Sequence, residues 1–483
     1  MARVFYKSSR MGTISLVLLL LSLTFCQKEP NPKQLMIALP TDPPSLDPLL
    51  ATDLSSQKIS RFLYSHLYKF QGAKVNKDLV EEERVYVTKG EQVWHLRLQE
   101  KHGLRAKDVQ YSLERLLSSN SPRVADYKFL HSVIVKGERE VSLYIDSQAK
   151  EWEVKEKLAL PFAAILKENA LGSSLFSSFG DYEVTEWKKN EYLDLKRKEE
   201  NNSLPESVRL QILPQSTTSL FLYKKQMLDA FKLSDFMLNL EIADEKHSLS
   251  KRGRSIQYVA INHNNPCFDL AFRKALNYAI PREFIIEKLL YNKADPIVSS
   301  IPLPFYEEVF KEKRTSVYFF DTEKANAYLK SSKCYPNILD QKIEFRMRAD
   351  DENQTKGRAI VEALKSLGLN VQIKGMEKAP LYKENGEGKG DLTLLTWYSD
   401  YPSIWNFLDP LFHDQKLGNS GNRAHYKNAA LTKLLDEKKD LKMAKQIIGI
   451  IENEAPWIFL WSLQENYLIS DKFIQFPMLS DYL

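Results

Sequence analysis

The stretch VAINHNNPCFDLAFRKALNYAIPREFIIEKLLYN, residues 259–292, admits few folds. Its short apolar run stops in an Asn-rich turn, and Asp269 stands where it can cap a helix whose face carries Phe272, Leu276 and Ala279. Pro281 then suits the first turn of a second helix through Phe284, Ile285 and Leu289. A strand that feeds two amphipathic helices calls for a sheet with helices packed on it.

The same alternation recurs along the chain. LMIAL at 35–39 reads as a buried strand ended by Pro40, and PTDPPSLDP, with four prolines in nine residues, cannot be helix interior. Ile59, Phe62, Leu63 and Leu67 fall at helical spacing and predict a helix over 56–68. VWHLRL at 93–98 alternates as a half-buried strand does, and AKDVQYSLERLL at 106–117 returns to helical spacing. Leu431, Leu434 and Leu435, then Leu441, Ala444, Ile448 and Ile451, mark two more amphipathic helices, and APWIFLW at 455–461 predicts a final buried strand. Strands and helices alternate without a strict βαβ rhythm, so the fold class is α/β.

The 483 residues suffice for two or three domains, and 43% hydrophobic with 27% charged residues is ordinary globular composition. Only 17 glycines and no fixed-period repeat exclude fibrous and solenoid classes.

The N-terminus carries Arg3, Lys7 and Arg10 without an acid, then the apolar run from Met11 to Phe25, the pattern of an export signal. A membrane anchor is the competing reading, but the run falls short of the roughly 20 apolar residues that span a bilayer. Cys26 ends this run and is followed by the polar QKEPNPKQ, which resembles a bacterial lipoprotein signal in which that Cys receives lipid; Phe25 departs from the small residue usual before it. The other reading of Cys26 is an apolar Cys ending a signal peptide cut nearby. Removing residues 1–25 takes three of the 68 basic residues and none of the 63 acidic ones, leaving a formal +2. Basic and acidic residues interleave, so a nucleic-acid footprint is not supported. Cys267 and Cys334 then remain; the sequence leaves open whether they form a bridge.

Catalytic patterns are missing. There is no GxSxG elbow, HExxH, paired CxxC or Walker sequence, and NGEGKGD at 385–391 has the wrong spacing for a phosphate loop and reads as a solvated turn. His413 and His425 with Asp414 lack the i, i+4 spacing of helix-borne metal ligands, and the acid runs Glu81 to Glu83 and Asp350 to Glu352 read as solvated faces. No catalytic residue, metal or cofactor is assigned; binding rather than turnover is expected.

Several collinear blocks together resemble the extracytoplasmic substrate-binding proteins of ABC importers, in the large oligopeptide and dipeptide class. They are LMIALPTDPPSLDP with ISRFLYSHLYKF, VWHLRLQEKHGLRAKDVQYSLERL, FGDYEVTEWKKNEYLDLKRKEE, VAINHNNPCFDLAFRKALNYAIPREFII, and LLTWYSDYPSIWNFLDPLF with AHYKNAALTKLLDE. The resemblance runs from about residue 34 to 465. Pro281 stands where the family has a capping Asp, and Ser403 and Ile404 where it often has Asp-Pro.

This resemblance implies a two-lobe fold with mixed sheets and an extra subdomain in the first lobe. The expected division is a signal over 1–25, a tether over 26–33, lobe I from 34–70, 166–260 and 446–483, its extra subdomain at 71–165, and lobe II at 261–445. It further implies a monomeric, lipid-anchored periplasmic protein that hands peptides to permease and ATPase subunits. Asp400 would pair with the ligand's α-ammonium, with Trp397, Tyr398, Ser399 and Tyr401 beside it, and the strand in DLTLLTW, 391–397, would offer backbone groups to the peptide. Without the family, Asp400 reads equally well as a turn former before Tyr-Pro. A transporter-independent sensor or adhesin, or a binder of a nickel complex or haem, would use the same scaffold.

Overall fold

The computed structural model describes residues 34–50, 53–71, 74–119, 124–168, 178–234, 237, 245–253, 255–399, 403–437 and 440–482. The export segment and Cys26 therefore lie outside the described residues.

Two seven-stranded mixed sheets organise the chain. In the first, strand Gln34–Leu39 runs parallel to both Ser207–Ile212 and Ala230–Lys232, and the full order is 248–251, 465–469, 230–232, 34–39, 207–212, 192–197, 182–188. Leu35, Ile37 and Leu39 alternate inward, as the period of two requires. The second sheet has the order 301–302, 294–298, 457–463, 255–261, 392–398, 343–348, 371–376. Its central strand Ser255–Ile261 is buried at every position, because it has neighbours on both sides and elements over both faces. A four-stranded antiparallel sheet, 80–88, 91–98, 140–146 and 130–135, packs under helix Ala106–Ser118.

The chain crosses between the two large sheets after Lys251 and again at Gln464. The expected lobe bounds at 260 and 446 therefore need moving: strands Ser255–Ile261 and Trp457–Leu463, expected in lobe I, hydrogen-bond within the second sheet. A strand buried on both faces shows no apolar-polar alternation to say which sheet it joins. Strand Trp457–Leu463 is also not the last, since Glu465–Ile469 follows it into the first sheet. The expected helix over 56–68 is Leu54–Leu63, and Leu67 is instead buried just ahead of strand Tyr68–Gln71.

Helix Leu270–Ala279 begins at Asp269, whose side chain accepts from the Phe272 N–H at 2.9 Å, and it buries Phe272, Leu276 and Ala279. Helix Arg282–Lys288 follows with Pro281 as its cap; Ile285 points inward, whereas Phe284 is 59% exposed. Polar residues of this pair secure the neighbouring strand. Strand 457–463 has a bulge opposite Gln257 and Tyr258, which interrupts its ladder. Asn277, fully buried, donates to the Trp457 carbonyl at 2.7 Å and accepts from the Phe459 N–H at 3.1 Å; Arg282 donates to the Phe459 carbonyl. Arg273 donates to the carbonyls of Glu454 and Ala455 just before the strand. Backbone groups that a regular ladder would satisfy are thus paired by side chains. A disulfide joins Cys267 to Cys334, with Cα atoms 5.3 Å apart, and resolves the open reading of those cysteines.

No helix among the described residues is long and apolar enough to cross a membrane.

Candidate ligand cleft

At the place where the chain crosses between the two sheets lies a cavity of about 280 Å³. The parallel strands 34–39, 207–212 and 230–232 end beside it, contributing Ala38 and Pro40, Leu213 and Pro214, and Phe231 to Ser234. Open α/β sheets collect ligands outside the carboxyl ends of such strands, because loops there diverge and helices begin. Helix Leu54–Leu63 supplies Ser55 and Lys58, and the first turns of helix Ser216–Lys224 supply Ser216 and Ser219. From the second sheet come Ser255 and Tyr398, and the crossing itself adds Leu463, Gln464 and Glu465.

The charges in the cavity wall belong to Lys58, Lys232 and Glu465. Lys232 Nζ lies 2.7 Å from Glu465 Oε1, and Lys58 Nζ donates to the Tyr467 hydroxyl at 2.8 Å. Burial pushes the Lys58 ammonium down to about 8; Glu465 opposes the shift, while Lys232 and Arg61 add to it. For Glu465, burial works against ionisation, but Lys232 and Lys58 outweigh it and hold the carboxyl down at about 2. The acid therefore stays charged at any ordinary pH, and the lysine is the group nearer to losing its charge.

The cavity floor is tied to the crossing segments. Asp295, buried on strand Ala294–Val298, accepts from Arg252 Nε at 2.9 Å and from Gln464 Nε2 at 3.2 Å, so one carboxylate holds both connections. Gln464 Oε1 in turn accepts from the Ser250 hydroxyl at 3.1 Å.

Strand Leu392–Tyr398 approaches the cavity from the second sheet. Its antiparallel ladder with 255–261 continues to the pair Ser255 and Tyr398, but its parallel ladder with 343–348 ends at Arg346 and Thr393. One edge of residues 394–398 is thus left without a strand neighbour among the described residues. Of the expected site residues, Tyr398 lines the cavity, while Trp397 faces the other side of the sheet and packs on the apolar cluster containing Trp405 and Phe407. That opposition follows from the alternation of side chains along a strand. The buried Trp397 Nε1 has no hydrogen-bond partner among the described residues. Ser399 is half-buried. Asp400 and Tyr401 lie outside the described residues.

The residues considered for metal have other partners: His413 Nε2 is 3.0 Å from Asp436 Oδ1, and His425 Nε2 is 3.0 Å from the Asn385 carbonyl. Among the described residues no three His, Cys, Asp or Glu side chains gather as a metal site. Lys58, Lys232 and Glu465 had no signal in the sequence: Lys58 sits at a polar position of an amphipathic helix, and Glu465 follows an apolar strand as any solvated acid might.

The family model described as "Bacterial extracellular solute-binding proteins, family 5 Middle" matches residues 96–419. Among curated proteins, the chain is 24% identical over 470 residues to the oligopeptide-binding protein AppA of Bacillus subtilis, covering 87% of this chain and 84% of that one. It is 28% identical over 267 residues to Heme-binding protein A of Haemophilus influenzae, covering 52% of this chain and 47%, about half, of that relative's length. Among solved structures, the ABC transporter-associated periplasmic binding protein DppA of Helicobacter pylori, in complex with the peptide STSA, superposes with a TM-score of 0.70 at 20% identity, over 90% of this chain and 93% of that one.

Proposed function

From the premise that this chain belongs to the bacterial extracellular solute-binding proteins of family 5, we propose that it captures peptides in the cleft between its two lobes and delivers them to the permease of an ABC importer. The observation that carries this reading is the cavity at the double crossing, walled by the first sheet, the crossing segments and Tyr398 of the second. A ligand there touches both lobes, so closing them about the crossing segments buries it. The printed names of AppA and of the DppA complex support peptides as the ligand class.

The edge of residues 394–398 beyond the end of the ladder with 343–348 suits main-chain pairing with an extended peptide, which gives affinity without reading side chains. Asp400, two residues beyond Tyr398, pairs with the peptide's α-ammonium. A carboxylate in a desolvated cleft gains about 4 kcal/mol from a cation ~4 Å away at an effective dielectric of about 20. The ligand supplies the partner that the sequence around Asp400 lacks. Ser399 and Tyr401 flank it. The domain division carries this role: residues near 34–251 and 465–483 form lobe I with its extra subdomain, and the intervening chain forms lobe II. Export by residues 1–25 and lipid attachment at Cys26 place a monomer outside the inner membrane beside its transporter.

Mass spectrometry of the ligand that co-purifies with the mature protein tests the reading. Peptides are expected. A haem mass or a nickel complex in their place would replace peptide as the cargo, and hydrolysed rather than intact added peptides would argue for turnover.

A further inference from the structure

Helix Ser216–Lys224 buries a serine and exposes a phenylalanine. A surface helix normally turns its apolar stripe to the core, as helix Leu441–Glu454 does with Ala444, Ile447, Ile448 and Ile451. In STTSLFLYK only Ser219 is buried. Leu220, Leu222 and Tyr223 are half-covered by the small cluster around Phe231, whereas Phe221 is 60% exposed, and Met227, just past the helix, 47%. Thr217, Phe221 and Lys224 recur at i, i+4 and i+7, and Lys225 stands beside them, so these exposed residues share one outward face.

The face carries charge of one sign. Residues 212–228 contain Lys224 and Lys225 and no acid, and the Lys225 ammonium lies 5.8 Å from the centre of the Phe221 ring. Uncovered Phe and Met beside two cations suit an apolar partner rimmed by carboxylates. The same helix is also part of the cavity wall, which it lines with Ser216 and Ser219. Its outward face is therefore at the rim of the cleft, about one helix diameter, roughly 10 Å, from the wall.

Resting on the reading that this chain serves an ABC importer, we infer that Phe221, Met227, Lys224 and Lys225 dock the extracytoplasmic surface of the permease at the rim of the cleft. The permease surface that fits them is an apolar hollow ringed by acidic side chains. A membrane protein that receives cargo from the cavity has to meet the cavity's rim, and this helix presents the cavity on one side and an unpartnered apolar face on the other. Phe221 is the anchor, since a few aromatic side chains dominate the energy of most interfaces. The lysines steer the encounter and fix its orientation.

Photo-crosslinking in the producing cells tests this. The photoreactive analogue p-benzoylphenylalanine replaces Phe221 in the full chain, and the adducts formed on irradiation are identified by mass spectrometry. An adduct with the membrane subunit of an ABC permease is expected, at least about fivefold above the yield from the same probe at Val87, which is 70% exposed on the four-stranded sheet. Lys224→Glu with Lys225→Glu should cut that adduct by about tenfold, while Lys224→Arg with Lys225→Arg should retain it. Both double variants should melt as the unaltered protein does, because these side chains are exposed. No permease adduct, adducts only with phospholipid, with another protein or within the chain itself, equal yields from positions 221 and 87, or a charge reversal without effect overturns the proposal. Such a failure leaves peptide capture standing where intact peptides co-purify; a haem mass or a nickel complex alongside the permease adduct removes peptide as the cargo and leaves the docking face in place.

Discussion

Trp152 stacks on Trp405, with ring centroids 6.4 Å apart and planes 30° from parallel. Trp152 belongs to helix Glu151–Leu158, beside the four-stranded sheet, and Trp405 opens helix Trp405–Phe412, three residues after Pro402. The helix beside the four-stranded sheet is thereby joined to helix Trp405–Phe412, which begins five positions after Asp400 in the sequence. Aromatic pairs contribute about 0.5–1.5 kcal/mol beyond their buried area. Trp152→Ala should speed hydrogen exchange in residues 405–412 and weaken peptide binding by up to about tenfold. Unchanged exchange in that helix would separate the two lobes' behaviour from this contact.

Asp400→Ala should lower peptide affinity by roughly 3 kcal/mol or more, because the ligand's ammonium is then buried without its partner. Isothermal calorimetry with the co-purified peptide measures this directly. An unaltered dissociation constant would move the ammonium site elsewhere in the cleft.

The Cys267–Cys334 bridge closes a loop between positions 67 apart, ahead of helix Leu270–Ala279 and after helix Thr322–Lys330. Losing it should cost about 2–5 kcal/mol. Urea unfolding of a Cys267→Ser, Cys334→Ser double variant, and of the unaltered protein under reductant, should show the same fall in midpoint.

Asn277→Leu should destabilise the fold by about 3 kcal/mol, since it removes the buried amide that pairs both the Phe459 N–H and the Trp457 carbonyl. Ligand affinity measured well below the melting temperature is expected to stay close to the unaltered value, because Asn277 belongs to helix Leu270–Ala279 and does not line the cavity.

Glu465 makes stability fall in acid. Its carboxyl titrates near 4.5 in the unfolded chain but at about 2 in the fold. The unfolded state thus binds the proton first, and stability present in full above about pH 4.5 is lost as pH falls through about 2. The contribution at neutral pH is about 3 kcal/mol. Unfolding free energy measured from pH 6 to pH 2 should decline less steeply in Glu465→Gln. Lys58 works the opposite way. Its pKa in the fold, about 8, lies below the 10.5 of the open chain, so stability rises between these values as pH increases.

Much of the framework is legible residue by residue. Asp269 before LAFRKALNYA announces a capped helix, and the apolar run LMIAL ended by Pro40 announces a strand, because capping and apolar runs act within a few positions of one another. The collinear blocks carried the family. Within them, Arg273, Asn277 and Arg282 pair the backbone of strand 457–463 and of the residues just before it. The end of helix Leu54–Leu63 is not legible in the sequence, because Leu67 continues the apolar spacing although the backbone has already turned extended at Tyr64.

What the amino acids determined alone was the set of local elements, the absence of catalytic patterns and the kinship of the whole chain. Only the tertiary structure decided which sheet received strands 255–261 and 457–463, since strands buried on both faces are equally content in either. It alone brought Lys58 against Tyr467, 409 positions away, and Glu465 against Lys232. An ion pair's strength depends on separation in space and on exclusion of water, and neither quantity is written in the order of residues along a chain.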